Sequence, residues 1–252
     1  MSKTLIALLT VFLLTFFGPI LFLVLSGIRG RSRYAWLALG LGAAGFFVPQ
    51  MMLRLPVLSV LQSFEAVLEF GQSHTLLYTG ILACTAALFE TTGRYFAARL
   101  MKAHLNGENA IRLGIGHGCI EALSLVGITY LINLLVLAVG SGIPALQEAH
   151  ALILGTSPGL FLLAGLERIL AVCFHIGLSA WMAYWVVRER PLYGWLLCLV
   201  LHTALDCCTV LANEHLALFY LMFAIVAAAS LTLALLLGRK ASWEQVRKNG
   251  RT

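Results

Sequence analysis

The chain has 252 residues, of which 60% are hydrophobic and 11% charged, with a mean hydropathy of +0.92. A soluble domain carries about 25% charged residues, so this composition excludes one and specifies a polytopic α-helical membrane protein. The net charge of +6 gathers in short loops and the C-terminal tail, where it sets topology and implies no nucleic acid.

The first apolar run, Thr4–Ile28, follows Lys3 and is too long for a signal peptide with no small-x-small cleavage site behind it, so it reads as a retained first span. Gly18-Pro19 is expected to kink it. Six further runs are long enough to cross a bilayer: Tyr34–Leu53, Thr75–Ala98, Ile111–Val139, Leu160–Val187, Leu192–Leu211 and Leu216–Leu237. Between the second and third runs, Leu55–Ser73 is apolar but carries Glu65 and Glu69 one turn apart, the pattern of an interfacial or re-entrant helix. The fold expected is all-α, a transmembrane bundle of about seven spans forming a single integral-membrane domain over residues 1–252. The six cysteines (Cys84, Cys119, Cys173, Cys198, Cys207 and Cys208) all fall in apolar runs without zinc-finger spacing and read as small buried hydrophobes.

Basic residues orient the bundle. Arg29, Arg31 and Arg33 lie in the first loop, Arg99, Lys102 and Arg112 around the third, Arg188 and Arg190 in the fifth. Arg239, Lys240, Arg247, Lys248 and Arg251 lie in the tail. The alternate loops are nearly bare, with only Arg54 in the second. By the positive-inside rule the N-terminus lies outside and residues 239–252 form a basic cytoplasmic tail, in what is expected to be a bacterial plasma membrane.

Four spans carry ionisable groups at membrane depth, where they are costly enough to mark function. Glu90 and Arg94 stand one turn apart in the third run, where they share a face and can neutralise each other. His117 and Glu121 share a face of the fourth, behind Gly114, Gly116 and Gly118, which permit close helix approach. The fifth carries Glu167, Arg168 and His175, with Arg168, His175 and Ser179 on one stripe, and the sixth carries His202, Asp206, Thr209 and Asn213. The first and second runs carry nothing comparable and read as scaffold. Glu90 is nine residues before Arg99, Glu121 nine after Arg112, His175 thirteen before Arg188 and His202 twelve after Arg190. At ~1.5 Å per residue all four lie roughly 14–20 Å inside the flanking charges, one layer near mid-membrane with a cytoplasmic bias that suggests access from that side. His74, His104, His150 and His215 fall in loops or at interfaces, as bystanders.

A buried glutamate beside histidines can act as general base toward water, while imidazoles or an Asp-oriented histidine stabilise an oxyanion and protonate a leaving amine. There is no Gly-x-Ser-x-Gly elbow and no His-Glu-x-x-His motif. Peptide-bond hydrolysis inside the bilayer then requires no cofactor, although two His-x-x-x-acid pairs on facing helices can alternatively ligate Zn.

Phe89-Glu90-Thr91-Thr92-Gly93-Arg94, then Gly-His-Gly-x-x-Glu at 116–121, Glu-Arg-Ile with Phe174-His175, and His202-x-x-x-Asp206 resemble, in this order, the YhfC family of intramembrane peptidases. That family is grouped with the CAAX-type prenyl-protein proteases, the PrsW-type proteases and the APH-1 subunit of γ-secretase. The resemblance covers about residues 75–215 and marks them as a catalytic-like core. It implies that Glu90 activates water, that Arg94 is the basic residue of the first motif, and that His117 or Glu121 is the polar group of the second. It also implies that His202 and Asp206 are the final His-x-x-x-acid pair, and that His175 matches a histidine of the APH-1 branch. Thr91 stands where that pattern usually has a second glutamate. The function expected is a glutamate-dependent intramembrane protease acting on a membrane-embedded or membrane-proximal peptide. An APH-1-like scaffold and a proton-coupled transporter are the alternatives.

Overall fold

The computed structural model describes residues 2–239 and 243. Among these there is no strand, and seven helices are long and apolar enough to cross a membrane: Lys3–Ile28, Ala35–Leu61, Thr75–Leu100, Gly107–Gly142, Pro158–Val187, Pro191–Val210 and Leu216–Leu237. They follow the seven expected runs, and the last has the same ends. The chain is an integral membrane protein. Lys240, Arg247, Lys248 and Arg251 of the tail lie outside the described residues, as does the side chain of Asn213.

The expected Leu55–Ser73 helix is divided in two. Leu55–Leu61 continues the second span, and a separate helix, Glu65–Ser73, buries none of its residues. The second span survives Pro49 and Pro56 because residues Phe47–Arg54 widen into a π-helical turn, which accommodates donors that proline removes. The first span does the same ahead of Pro19, with a π segment over Leu13–Phe17 in which Thr15 Oγ1 donates to Val11 O at 2.7 Å.

The fourth span sits between the second and the fifth, and its glycines place it there. A Cβ on Gly116 would run into the backbone of Leu39 in the second span, and one on Gly118 would lie 2.9 Å from Val172 Cα in the fifth. Lipid gives no hydrophobic drive for helix association, so small residues that let backbones touch supply the packing. Beyond Glu121 the fourth span also widens, over Ala122–Gly127, and this π segment lies against that of the first span.

One end of the bundle gathers the arginine-rich loops. Arg31 N donates to Glu108 Oε1 at 2.8 Å, Arg112 pairs with Glu108 at 2.8 Å and reaches Ser26 O at 3.1 Å, and Tyr34 stacks on His104 at 3.7 Å. At the same end Glu189 pairs with Lys102 and, at 3.6 Å, with Arg99.

Candidate active site

Each of the four polar spans turns its ionisable face inward, because an i, i+4 spacing keeps the groups on one stripe and the outer faces are apolar. Glu90, Arg94, His117, Glu121, His175 and His202 are all buried, none more than 7% exposed. Glu90 and Arg94 do not neutralise each other directly. Both reach His117 Nε2 instead, at 3.2 Å each, so the imidazole stands between them. Arg94 is tied into the fifth span, with Nη2 donating to His175 Nδ1 at 2.7 Å and Nε donating to Ser179 Oγ at 3.1 Å. Since arginine only donates, His175 Nδ1 accepts, and its other nitrogen carries the hydrogen toward Glu121 Oε2, 2.6 Å away. Glu121 Oε1 takes a hydrogen bond from Arg168 Nη1 at 2.9 Å, and Arg168 also holds Glu167.

The sixth span contributes the edge of the cluster. His202 Nδ1 lies 3.8 Å from Glu90 Oε2, and His202 Nε2 lies 3.5 Å from Asp206 Oδ2. The rings of His117 and His175 stack at 4.8 Å, and those of His175 and His202 meet edge-on at 5.3 Å. The layer counted from the flanking charges is therefore a single cluster, and His202–Asp206 is a loose pair. His74 and His104 stack on Phe70 and Tyr34, away from it. Thr91, where the resemblance expects a second glutamate, is fully buried and its Oγ1 has no hydrogen-bond partner.

A polar cavity of about 100 Å³ adjoins the cluster, lined by Glu121, His175, His202, Arg168, Asp206 and Thr209 among others. It runs toward the ends of the spans away from the arginine-rich loops, where the Glu167 and Asp206 side chains are 31% and 34% exposed. Access from the end bearing those loops, which the depth of the layer suggests, is not what the cavity provides.

Arg54 is not a loop residue. It lies inside the second span, 8% exposed, donating to Leu82 O at 2.8 Å and to Thr85 Oγ1 at 3.2 Å, with Gln50 buried one turn before it. Reading the second span as plain scaffold missed both. The available signal was the apolar run that resumes after Arg54 and continues to Leu61.

A sequence model described as YhfC intramembrane metalloprotease matches residues 11–227. The chain belongs to the YhfC family. It is 35% identical over 210 residues to the membrane protein YhfC of Bacillus subtilis (strain 168), covering 75% of this chain and 80% of that protein. No solved structure matches. The description of the YhfC family names a metal, and the residues present fit one. Among the described residues, Glu90, His117, Glu121 and His175 each offer a ligand atom, and these atoms lie within 4.8 Å of one another in a buried site. Two imidazoles with carboxylates are the donors of hydrolytic zinc sites, and Arg168 on Glu121 already supplies an outer contact that orients such a ligand.

Proposed function

We propose that this chain is an intramembrane peptidase that hydrolyses a peptide bond in a membrane-embedded or membrane-proximal substrate, with Glu90 as the base. The observation that carries the reading is the arrangement of Glu90: its carboxylate faces two imidazoles, His117 at 3.2 Å and His202 at 3.8 Å, and is not locked onto Arg94 as a packing ion pair would be. His117, His175 and Glu121 would hold the metal as a two-histidine, one-glutamate set, which leaves Glu90 free for proton transfer. When bound, a zinc-type ion polarises the scissile carbonyl and makes water acidic.

The remaining work falls to the chain's own groups. Glu90 Oε2 takes the proton of the attacking water. His202 Nδ1 has no hydrogen-bond partner of its own and faces Glu90, while Asp206 lies 3.5 Å from Nε2, so Nδ1 can receive that proton and deliver it to the leaving amine. Arg94 Nη1, buried and without a partner, is a permanently charged donor for the developing oxyanion. The core over residues 75–215 holds all of these groups, and the positive-inside orientation with the C-terminus in the cytoplasm is part of the same reading.

The test separates base from ligand. Glu90→Gln is expected to abolish cleavage, seen as membrane-protein N-termini present in cells with the native chain and absent with the variant, while the purified variant keeps its zinc. His117→Ala is expected to lose both. Unchanged N-termini with Glu90→Gln would sink the mechanism, and lost zinc with Glu90→Gln would make Glu90 a ligand.

A further inference from the structure

We infer that the reaction chamber takes its water and cations from the aqueous phase at the end of the bundle opposite the arginine-rich loops. The entrance lies between the fifth, sixth and seventh spans, where Glu167, Asp206 and Thr209 stand. The inference rests on the proposed hydrolytic role of the cluster and adds its supply route.

Three observations converge on it. The cavity begins at buried Glu121, His175 and His202 and ends at Glu167, Asp206 and exposed Thr209, with Phe219 and Phe223 of the seventh span as its side wall. His202, only 4% exposed, belongs to this lining, and its buried Nδ1 has no hydrogen-bond partner in the protein, the condition of a group that water serves. The opposite end is plugged. Below Arg94 and Ser179 come Met182, Ala183 and Val186, all buried, and Lys102 and Arg99 tie the third span to Glu189 across that end.

Size and charge say what passes. About 100 Å³ holds about three waters at ~30 Å³ each and no peptide segment. Three carboxylates (Glu121, Glu167 and Asp206) face the lining against one guanidinium, Arg168. A low-dielectric passage with that balance concentrates cations and repels anions. With the orientation set by the basic loops, the supply comes from the extracytoplasmic side.

The experiment is thiol accessibility in the full-length chain with its six cysteines replaced by alanine. Asp206→Cys and Thr209→Cys report the entrance, and Arg190→Cys, exposed in the opposite loop, fixes the orientation. Membrane-impermeant methanethiosulfonates, one bearing trimethylammonium and one sulfonate, are applied to spheroplasts and to inside-out vesicles. Both entrance variants are expected to react from the face opposite to Arg190→Cys. The cationic reagent should modify Thr209→Cys about tenfold or more faster than the anionic one, after correction for their rates with a free thiol. Reaction of Asp206→Cys from the Arg190 face, reaction from neither face, or equal rates for the two reagents would overturn the inference. Should the cysteine-free chain fail to fold, restoring the buried Cys119 and Cys198 keeps the test, since both lie out of reagent reach. Labelling does not need turnover, so the same pattern with Glu90→Gln present separates failure of the route from failure of the peptidase reading.

Discussion

Arg94 is the single most connected charge in the cluster, and replacing it with methionine gives a prediction that needs no substrate. Met fills much of the same volume but removes the hydrogen bonds to Ser179, His117 and His175 and leaves Glu90 and Glu121 with less positive charge nearby. Breaking a buried charged network by deleting one partner costs about 3–5 kcal/mol, because the groups left behind stay desolvated. For a chain of this size each kcal/mol is worth about 2–4 °C, so Arg94→Met should lower the midpoint of thermal unfolding in detergent by roughly 6–20 °C. Combining it with Glu90→Gln neutralises the stranded carboxylate, and the double variant should be less destabilised than the sum of the singles by about 1–3 kcal/mol. Two results would refute the reasoning. One is a midpoint for Arg94→Met within ~2 °C of native, and the other is strict additivity in the double variant. Either would mean that His117, standing between Glu90 and Arg94, insulates the two charges rather than linking them.

Two other outcomes follow from positions outside the charged layer. Gly118→Leu places a side chain against Val172 Cα, 2.9 Å from where its Cβ must lie, and should cost about 1–3 kcal/mol or more as the fourth and fifth spans separate. Size-exclusion of the detergent-solubilised variant would show aggregate or lost yield, whereas a native profile would mean that the bundle can shift. At the loop, the hydrogen bond from Lys102 holds the Glu189 carboxyl below the usual carboxylate range. Its stabilisation is therefore present above the ordinary carboxylate pKa and is lost as pH falls through the depressed one. Because the side chain is 59% exposed and screened, the loss should be at most about 1 kcal/mol. Glu189→Gln should flatten that acid limb of the stability profile, and equal slopes in the two chains would exclude the contribution.

The spans were legible because hydrocarbon imposes one rule on every helix, a run of apolar residues long enough to cross, and the seven runs obey it. Depth was legible for the same reason: Glu90, Glu121, His175 and His202 could be placed by counting from basic flanks. What counting cannot show is rotation and winding. The π segments over Leu13–Phe17, Phe47–Arg54 and Ala122–Gly127 insert a residue into the helical register; Pro19 and Pro49 mark the neighbourhood of the first two, and no proline marks the third. Arg54 was misplaced because a single charge ended the run, although the span resumes to Leu61. Pairing in the cluster depends on side-chain reach. Glu90 and Arg94 share a stripe as their spacing requires, yet His117 from another span fits between them.

The spans differ in length more than one bilayer can match. The sixth has 20 residues and the fourth 36, or about 30 Å and 54 Å at 1.5 Å per residue. A hydrocarbon core of ~30 Å fits the sixth upright but requires the fourth to tilt or protrude. The bilayer therefore meets a matched helix at the sixth span and a surplus of length at the fourth, so the sixth has no spare length to absorb a thicker membrane. Thr209 lies one residue from the end of that helix, so membrane thickness becomes a physical variable at this rim. Long-chain lipids would draw acyl groups over this rim, and short-chain lipids would leave it among hydrated headgroups.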